Sequence, residues 1–274
     1  MLPDAVSVRV RRLVDDYFDW QGARPELWEE RLRYVHHWLD QQTSVYRTVA
    51  TALIARIEPL LASLHQELPS SERGRFLYRI DERHVLKTPE SILEKMARKW
   101  LDSTRPPPIS FENLEELNDL GRFRIVTNFL SDAAWISERL EEPYDALKRE
   151  RLTPVQQVLR QEFGLQRNRF EDLIAVMPSE RETGERCRKG HFMPLLPEYR
   201  GIRVEVQILT VLQEAWDKKD HVLIYERRRA GHRVEEEHER ISFSLSEQLY
   251  LADLLFDQLK RAQSMQENGR AAGM

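Results

Sequence analysis

Residues 202–208, Ile-Arg-Val-Glu-Val-Gln-Ile, alternate without a break between apolar and polar side chains. A period of two belongs to a β-strand, and it puts Ile202, Val204, Val206 and Ile208 on one face and Arg203, Glu205 and Gln207 on the other. A chain with such a segment must build a sheet with an apolar face to bury, and its other elements have to cover that face. Residues 122–129 read as a second strand and 170–176 as a weaker one, with helices filling the intervals. On either side of this region the period is 3.6. Over residues 5–68, Leu32, Val35, Trp38 and Leu39, then Tyr46, Val49, Leu53, Ile57 and Leu61, fall three and four apart. Near the other end Leu245, Leu249, Ala252, Phe256 and Leu259 do the same, a stripe expected to pack on a neighbour. Residues 105–108, Arg-Pro-Pro-Pro, mark the change of period, and the tail 266–274 is expected to fray. The expected architecture is α+β: a mixed β-sheet flanked by helices. A helical N-terminal extension occupies 1–80, the central domain 81–230, and a C-terminal helix and tail 231–274.

Composition excludes several classes. At 41 % hydrophobic the chain can bury a core, yet its apolar runs last only a few residues, so no segment is expected to cross a membrane. The N-terminus lacks the basic and apolar regions of a signal peptide, and the single cysteine, Cys187, has no partner for an intrachain disulfide. A cytoplasmic location is the expectation. With 42 basic against 46 acidic residues the net charge is −4, which disfavours general binding to duplex DNA and leaves any nucleotide chemistry to local clusters.

Four clusters qualify. Thr88 and Pro89 suit the N-cap and first position of a helix, with Lys87 just outside it and Ser91 and Lys95 one turn apart on one face. Free amides, the positive end of the helix dipole, a hydroxyl and two ammonium groups then converge, as a polyphosphate requires. A capped surface helix is the plainer reading of these residues alone. Asp119 precedes a strand whose alternation puts Arg122 and Arg124 on one face. A carboxylate at a strand entrance and another in a neighbouring strand, Glu205, suit Mg²⁺ shared with substrate phosphates. The polar face carrying Glu205 and Gln207 is equally the solvated side of an ordinary antiparallel sheet. His221 and Tyr225, four apart, share a helix face beside that strand.

Taken together these residues resemble the RelA/SpoT alarmone synthetases. Residues 205–210, Glu-Val-Gln-Ile-Leu-Thr, followed by Ala215-Trp216 and by His221 and Tyr225, are similar to the family's Glu-Val-Gln-Ile-Arg-Thr, Ala-Trp and His-x-x-x-Tyr motifs. Asp119 with Arg124 and the set Lys87, Ser91, Lys95 match two further motifs, all in the family's order over about residues 83–225. The resemblance implies a nucleotidyltransferase-like fold. It also implies a GTP pyrophosphokinase-like enzyme that transfers the β,γ-pyrophosphate of ATP to the 3′-hydroxyl of GDP or GTP with Mg²⁺, making the alarmone (p)ppGpp of the stringent response. It assigns the metal to Asp119 and Glu205, with Glu205 helping to deprotonate the attacking hydroxyl. The ATP phosphates fall to Lys87, Ser91 and Lys95, the adenine to Arg124, and supporting or acceptor-side places to Gln207, His221, Tyr225, Lys189 and His191.

The chain departs from the family at three places. Val85 stands where a second adenine-contacting arginine is usual, and Leu209 replaces the arginine of Gln-Ile-Arg-Thr. Where a Gly-Tyr-x-x-x-His loop stacks on the acceptor guanine, this chain has Arg-Cys-Arg-Lys-Gly-His-Phe over 186–192, with His191 the counterpart of the histidine and Phe192 a possible aromatic face. Two alternatives therefore stay open: the same ATP chemistry on an adenine nucleotide or a tRNA 3′ end, with Arg186, Arg188 and Lys189, joined by Arg227, Arg228 and Arg229, as phosphate contacts, or a nucleotide-binding or partner-binding module without turnover. There is no His-Asp hydrolase motif in residues 1–80. Terminal helices of such a small synthetase are also a means of homo-oligomer formation.

Overall fold

A computed structural model describes residues 4–21, 24–83, 85–101, 109–174, 184–229 and 232–272. The periodic N-terminal third forms α1 (Asp4–Gln21), the forty-residue α2 (Trp28–Glu67) and a single turn, α3 (Ser70–Arg73). β1 (Tyr78–Asp81), α4 (Pro89–Leu101), β2 (Gly121–Thr127), α5 (Leu130–Glu141) and α6 (Pro154–Glu162) follow. The short strands β3 (Phe163–Leu165) and β4 (Glu171–Asp172) precede β5 (Arg188–Pro194) and β6 (Val204–Thr210). The chain ends in α7 (Val211–Asp220), a π turn (His221–Tyr225), α8 (Glu226–Arg229) and α9 (Glu236–Ala272).

The sheet order is β1-β2-β6-β5-β3, with β4 also on β5. Only β2 and β6 run parallel; the other pairs are antiparallel, so the sheet is mixed as expected. Its apolar face, including Phe123, Ile125, Val204, Val206 and Ile208, joins Ile54 and Ile57 of α2 and Ile136 and Leu140 of α5 in one hydrophobic core. The N-terminal helices therefore cover the sheet, and β1 straddles the 80/81 boundary.

Several expectations are corrected. Of residues 170–176 only Glu171 and Asp172 pair, because the Asp172 carboxylate accepts from the Ile174 amide (2.9 Å) and turns the chain; 175 and 176 lie outside the described residues, as does the 105–108 segment. The interval before β6 holds no α-helix among its described residues but β5, whose side chains lack alternation. The polar face of β6 is not solvated, since all seven of its residues are buried. Helix α9 runs to Ala272.

The apolar stripe of α9 is largely left uncovered, with Leu249 and Ala252 half-buried and its other three members exposed, joined on the outside by Leu255. Leu245, Leu255, Phe256 and Leu259 are exposed, Leu259 at 60 %, whereas Ser246 and Asp253 are each 1 % exposed. The inward face docks through hydrogen bonds: Thr210 Oγ1 (2.6 Å) and Gln213 Nε2 (3.0 Å) donate to Asp253, and the Ser131 amide donates to Asp257 (3.0 Å). Such a polar seam is specific in register, because each buried carboxylate needs its donors in place.

Candidate active site

The polar face of the sheet gathers the sequence-derived residues through register. Arg122 lies opposite Glu205 and Arg124 opposite Gln207, while on the far side of β6 His191 pairs with Glu205 and Lys189 with Gln207. One continuous row thus carries Arg122, Arg124, Glu205, Gln207, Lys189 and His191.

Residues 85–87 add a short bridge to the start of β2. The Lys87 amide donates to the Leu120 carbonyl (3.0 Å) and the Arg122 amide to the Val85 carbonyl (2.9 Å), with Leu86 paired to Gly121. That pairing sets Lys87 beside Asp119. At the start of α4 the Ser91 amide donates to Thr88 Oγ1 (3.3 Å), and Thr88 Oγ1 donates to Ser91 Oγ (3.1 Å), the capping read from the sequence. One turn on, Lys95 reaches back to the same carboxylate: Nζ of Lys87 and of Lys95 lie 2.8 and 2.6 Å from Asp119 Oδ2.

Asp119 Oδ1 is buried and accepts no hydrogen bond from the described residues. Burial alone would raise the pKa of Asp119, but the two ammonium groups outweigh it and hold the carboxyl well below its usual range. Lys87 is lowered, chiefly by its own burial, with Asp119 opposing. Glu205 follows the same logic. Its burial pushes upward, and the hydrogen bond from His191 (Nε2 to Oε2, 3.4 Å) and the charge of Lys189 prevail, so it stays ionised, although Asp119 pushes the other way. Burial would lower Lys189, yet the charges of Glu205 and Glu185 hold it above its ordinary value.

Arg124 donates from Nε to Gln207 Oε1 (2.9 Å) and pairs with Asp217 of α7 (2.8 Å), while Gln207 Nε2 donates to Glu205 Oε1 (2.8 Å). His221 and Tyr225 stack at 4.9 Å between ring centroids on the π turn. Their ties run to the rim and not to either carboxylate: Tyr225 Oη accepts from Arg98 of α4 (2.7 Å), and His221 Nδ1 sits 3.3 Å from Glu226.

On the acceptor side, Phe192 is fully buried against Tyr144 and Phe170, so it offers no aromatic face to a ligand. Arg186 is buried and Arg188 is held by Asp172 (2.7 Å) and Ser137 (2.9 Å), which removes two of the six cations read as RNA contacts. Leu209 is buried with Val126 and Cys187 in a small apolar cluster, which suits the change from arginine. Three residues escaped the sequence reading: Asp217, Glu185, which accepts from Gln207 Nε2 and Lys189 Nζ (3.3 Å each), and Arg98. Only Arg98 left a signal, since it continues the 91–95–98 face of α4.

Among the described residues no group of three or more His, Cys, Asp or Glu side chains is arranged to hold a metal. Cations on a buried carboxylate, an unused carboxylate oxygen and a second ionised carboxylate on an α+β fold are groups of the kind that phosphoryl transfer uses.

The comparisons name the family. The model described as "Region found in RelA / SpoT proteins" matches residues 84–230, more than half of the chain, and the chain belongs to that family. It is accordingly a pyrophosphotransferase of the RelA/SpoT type. The fold is similar to small alarmone synthetase 1 from Bacillus subtilis, with TM-score 0.57 and 19 % identity over 82 % of this chain and 97 % of that one. The same protein bound to its product pppGpp gives TM-score 0.59 at 19 % identity, covering 84 % and 98 %. Small alarmone synthetase 2 from Bacillus subtilis gives 0.53 at 17 %, covering 81 % and 98 %. Among curated proteins none matches at a significant level. No described helix is long and apolar enough to cross a membrane.

Proposed function

We propose that the protein transfers the β,γ-pyrophosphate of ATP to the 3′-hydroxyl of GDP or GTP, making (p)ppGpp. The observation that carries this is the Asp119 carboxylate: one oxygen is held by Lys87 and Lys95, and the other is buried and unpaired among the described residues. An ionised oxygen without a donor fits a hard cation, and Asp119 and Glu205 are the residues that would hold Mg²⁺, substrate phosphates supplying further oxygens. Such an ion, when bound, neutralises phosphate charge. Lys87, Lys95 and Ser91 line the place of the donor phosphates, and Arg124 that of the adenine. Lys189 and His191 flank Glu205 on the opposite side, toward the acceptor, with Gln207 joining the two halves and His221 and Tyr225 at the rim.

In the reaction the acceptor 3′-oxygen bonds to the β-phosphorus, the bond from that phosphorus to the α,β-bridging oxygen breaks, and AMP leaves. The hydroxyl proton passes to Glu205, which is ionised for the purpose. Support for a nucleotide acceptor comes from the relative that binds pppGpp. Burial of Arg186 weighs against a tRNA acceptor. The test is incubation with Mg²⁺ and γ-labelled ATP beside GDP, GTP, ADP, AMP and bulk tRNA in separate reactions. Label is expected on the guanine nucleotides; label on another acceptor would move the assignment to it, and none on any would end the reading.

The reading extends to a homo-oligomer joined through α9. Ile241, Leu245, Leu255 and Leu259 lie on one exposed face at heptad-like spacing, and intramolecular packing does not cover them. Sedimentation velocity is expected to show a species larger than a monomer, and a double change, Leu255→Glu with Leu259→Glu, is expected to reduce it to the monomer. A wild-type monomer at micromolar concentration would remove this extension.

A further inference from the structure

The segment that feeds β5 is fixed to α9 by one buried guanidinium. Arg186 has a side chain only 1 % exposed, an unusual place for an arginine. Its Nε donates to Ser246 Oγ (3.3 Å), its two terminal nitrogens bond the Ile174 carbonyl and the Glu247 carboxylate, and its guanidinium lies 4.4 Å over the Tyr250 ring. Two residues earlier, Ser246 Oγ also donates to the Gly184 carbonyl (2.6 Å), and a Cβ at Gly184 would come within 2.6 Å of the Trp216 ring. The chain at 184–186 is thus pressed between α7 and α9 with little freedom.

What this anchoring serves lies on the adjacent residue. Glu185 accepts from Lys189 Nζ and Gln207 Nε2, and the same Gln207 nitrogen donates to Glu205. Two hydrogen-bonded ties to α9 and one to the Ile174 carbonyl, just after β4, therefore fix a carboxylate that orients the ammonium and the amide beside Glu205. The donor-side cations Lys87 and Lys95 hang on Asp119 instead, through α4 and the start of β2.

We propose that Arg186 is a positioning residue for the acceptor half of the site: it holds Glu185 so that Lys189 and Gln207 face the acceptor, and it does so through α9. This rests on the pyrophosphotransfer reading for its kinetic consequence, though not for its structural one. Freed of Arg186, residues 184–189 gain mobility, and Lys189 loses its aim while the donor cradle is unchanged.

The test measures initial rates against each substrate in turn for wild type, Arg186→Ala, Arg186→Lys and Glu247→Gln, with amide hydrogen exchange on the same proteins. Arg186→Ala is expected to raise the acceptor KM tenfold or more with the ATP KM within twofold. Arg186→Lys is expected to recover part of the difference, and Glu247→Gln, which removes one tie, to fall between. Exchange at 184–189 is expected to quicken while that of α4 is unchanged. An equal effect on both KM values, or unchanged exchange at 184–189 in the variants, would overturn the proposal. If Arg186→Ala fails to fold, Arg186→Lys and Glu247→Gln decide by the same two readouts. A wild-type protein that transfers nothing would defeat the pyrophosphotransfer reading, and Arg186 is then judged by exchange alone.

Discussion

Glu205→Gln lowers pyrophosphate transfer by about 10³-fold or more while the protein stays folded. The substitution keeps the shape of a side chain buried at the centre of β6, and its amide oxygen still accepts from Gln207 Nε2, now 2.8 Å from Oε1. What disappears is the charge, which faces His191 and Lys189 and is the second of the two carboxylates available to a cation. Phosphoryl transfer depends on positioning and on charge neutralisation, so a loss of 10³, about 4 kcal/mol of transition-state stabilisation, is the size expected when one such charge goes. The fold tolerates the change because Lys189 keeps Glu185 as a partner at 3.3 Å. Single-turnover rates with labelled ATP, beside a thermal melt, measure both parts. A folded variant retaining more than a tenth of the wild-type rate would remove Glu205 from the chemistry.

The legibility of this site followed the range of the interactions that build it. Strand β6 and most of β2 were readable because a strand with one apolar and one polar face writes its alternation locally, and the start of α4 because Thr88 and Pro89 act on their own neighbours. Strand β5 was not readable. It lies between β6 on one side and β3 and β4 on the other, and Arg188, Lys189, Gly190 and His191 are placed by those partners and not by any apolar period of their own. Gly190 in particular is set by Phe170, whose ring would meet an added Cβ at 2.7 Å. The outward turn of α9 was hidden for a related reason. A helix with an apolar stripe ordinarily buries it, and here the buried side is made of Ser246, Asp253 and Asp257, whose donors come from residues 131, 186, 210 and 213. Asp217 reaches the site through a contact across more than ninety residues, and Glu185 through one across more than twenty beside its tie to Lys189 four residues on, in a segment with no period of its own to announce it.

Asp119→Asn carries the other large effect, and it falls on stability as well as on turnover. In the wild type one carboxylate oxygen offsets two ammonium groups whose side chains are mostly withdrawn from water. Without that charge Lys87 and Lys95 repel each other, and Lys87, already lowered by burial, loses the group that opposes its deprotonation. Breaking a largely buried pair from one side costs about 3 kcal/mol, and partial exposure of Lys95 argues for the lower part of that range. The pH dependence has a definite sign. The folded-state pKa of Asp119 is depressed, so its contribution is fully present above the unfolded carboxyl value, about 3.9, and is lost as pH falls from there toward the folded value. Urea denaturation of wild type and Asp119→Asn should therefore differ by a constant amount between pH 7 and pH 5, the gap narrowing below pH 4. A gap that stays constant down to pH 3, or one that is absent at pH 7, would mean that the two lysines do not depend on this carboxylate. In the same variant transfer is expected to fall by at least about 10²-fold, because the oxygen that remains is neutral and holds a cation and the donor lysines less firmly. Raising Mg²⁺ should recover part of the rate in Asp119→Asn and none in Asp119→Ala, which separates loss of the cation's ligand from loss of the lysines' alignment.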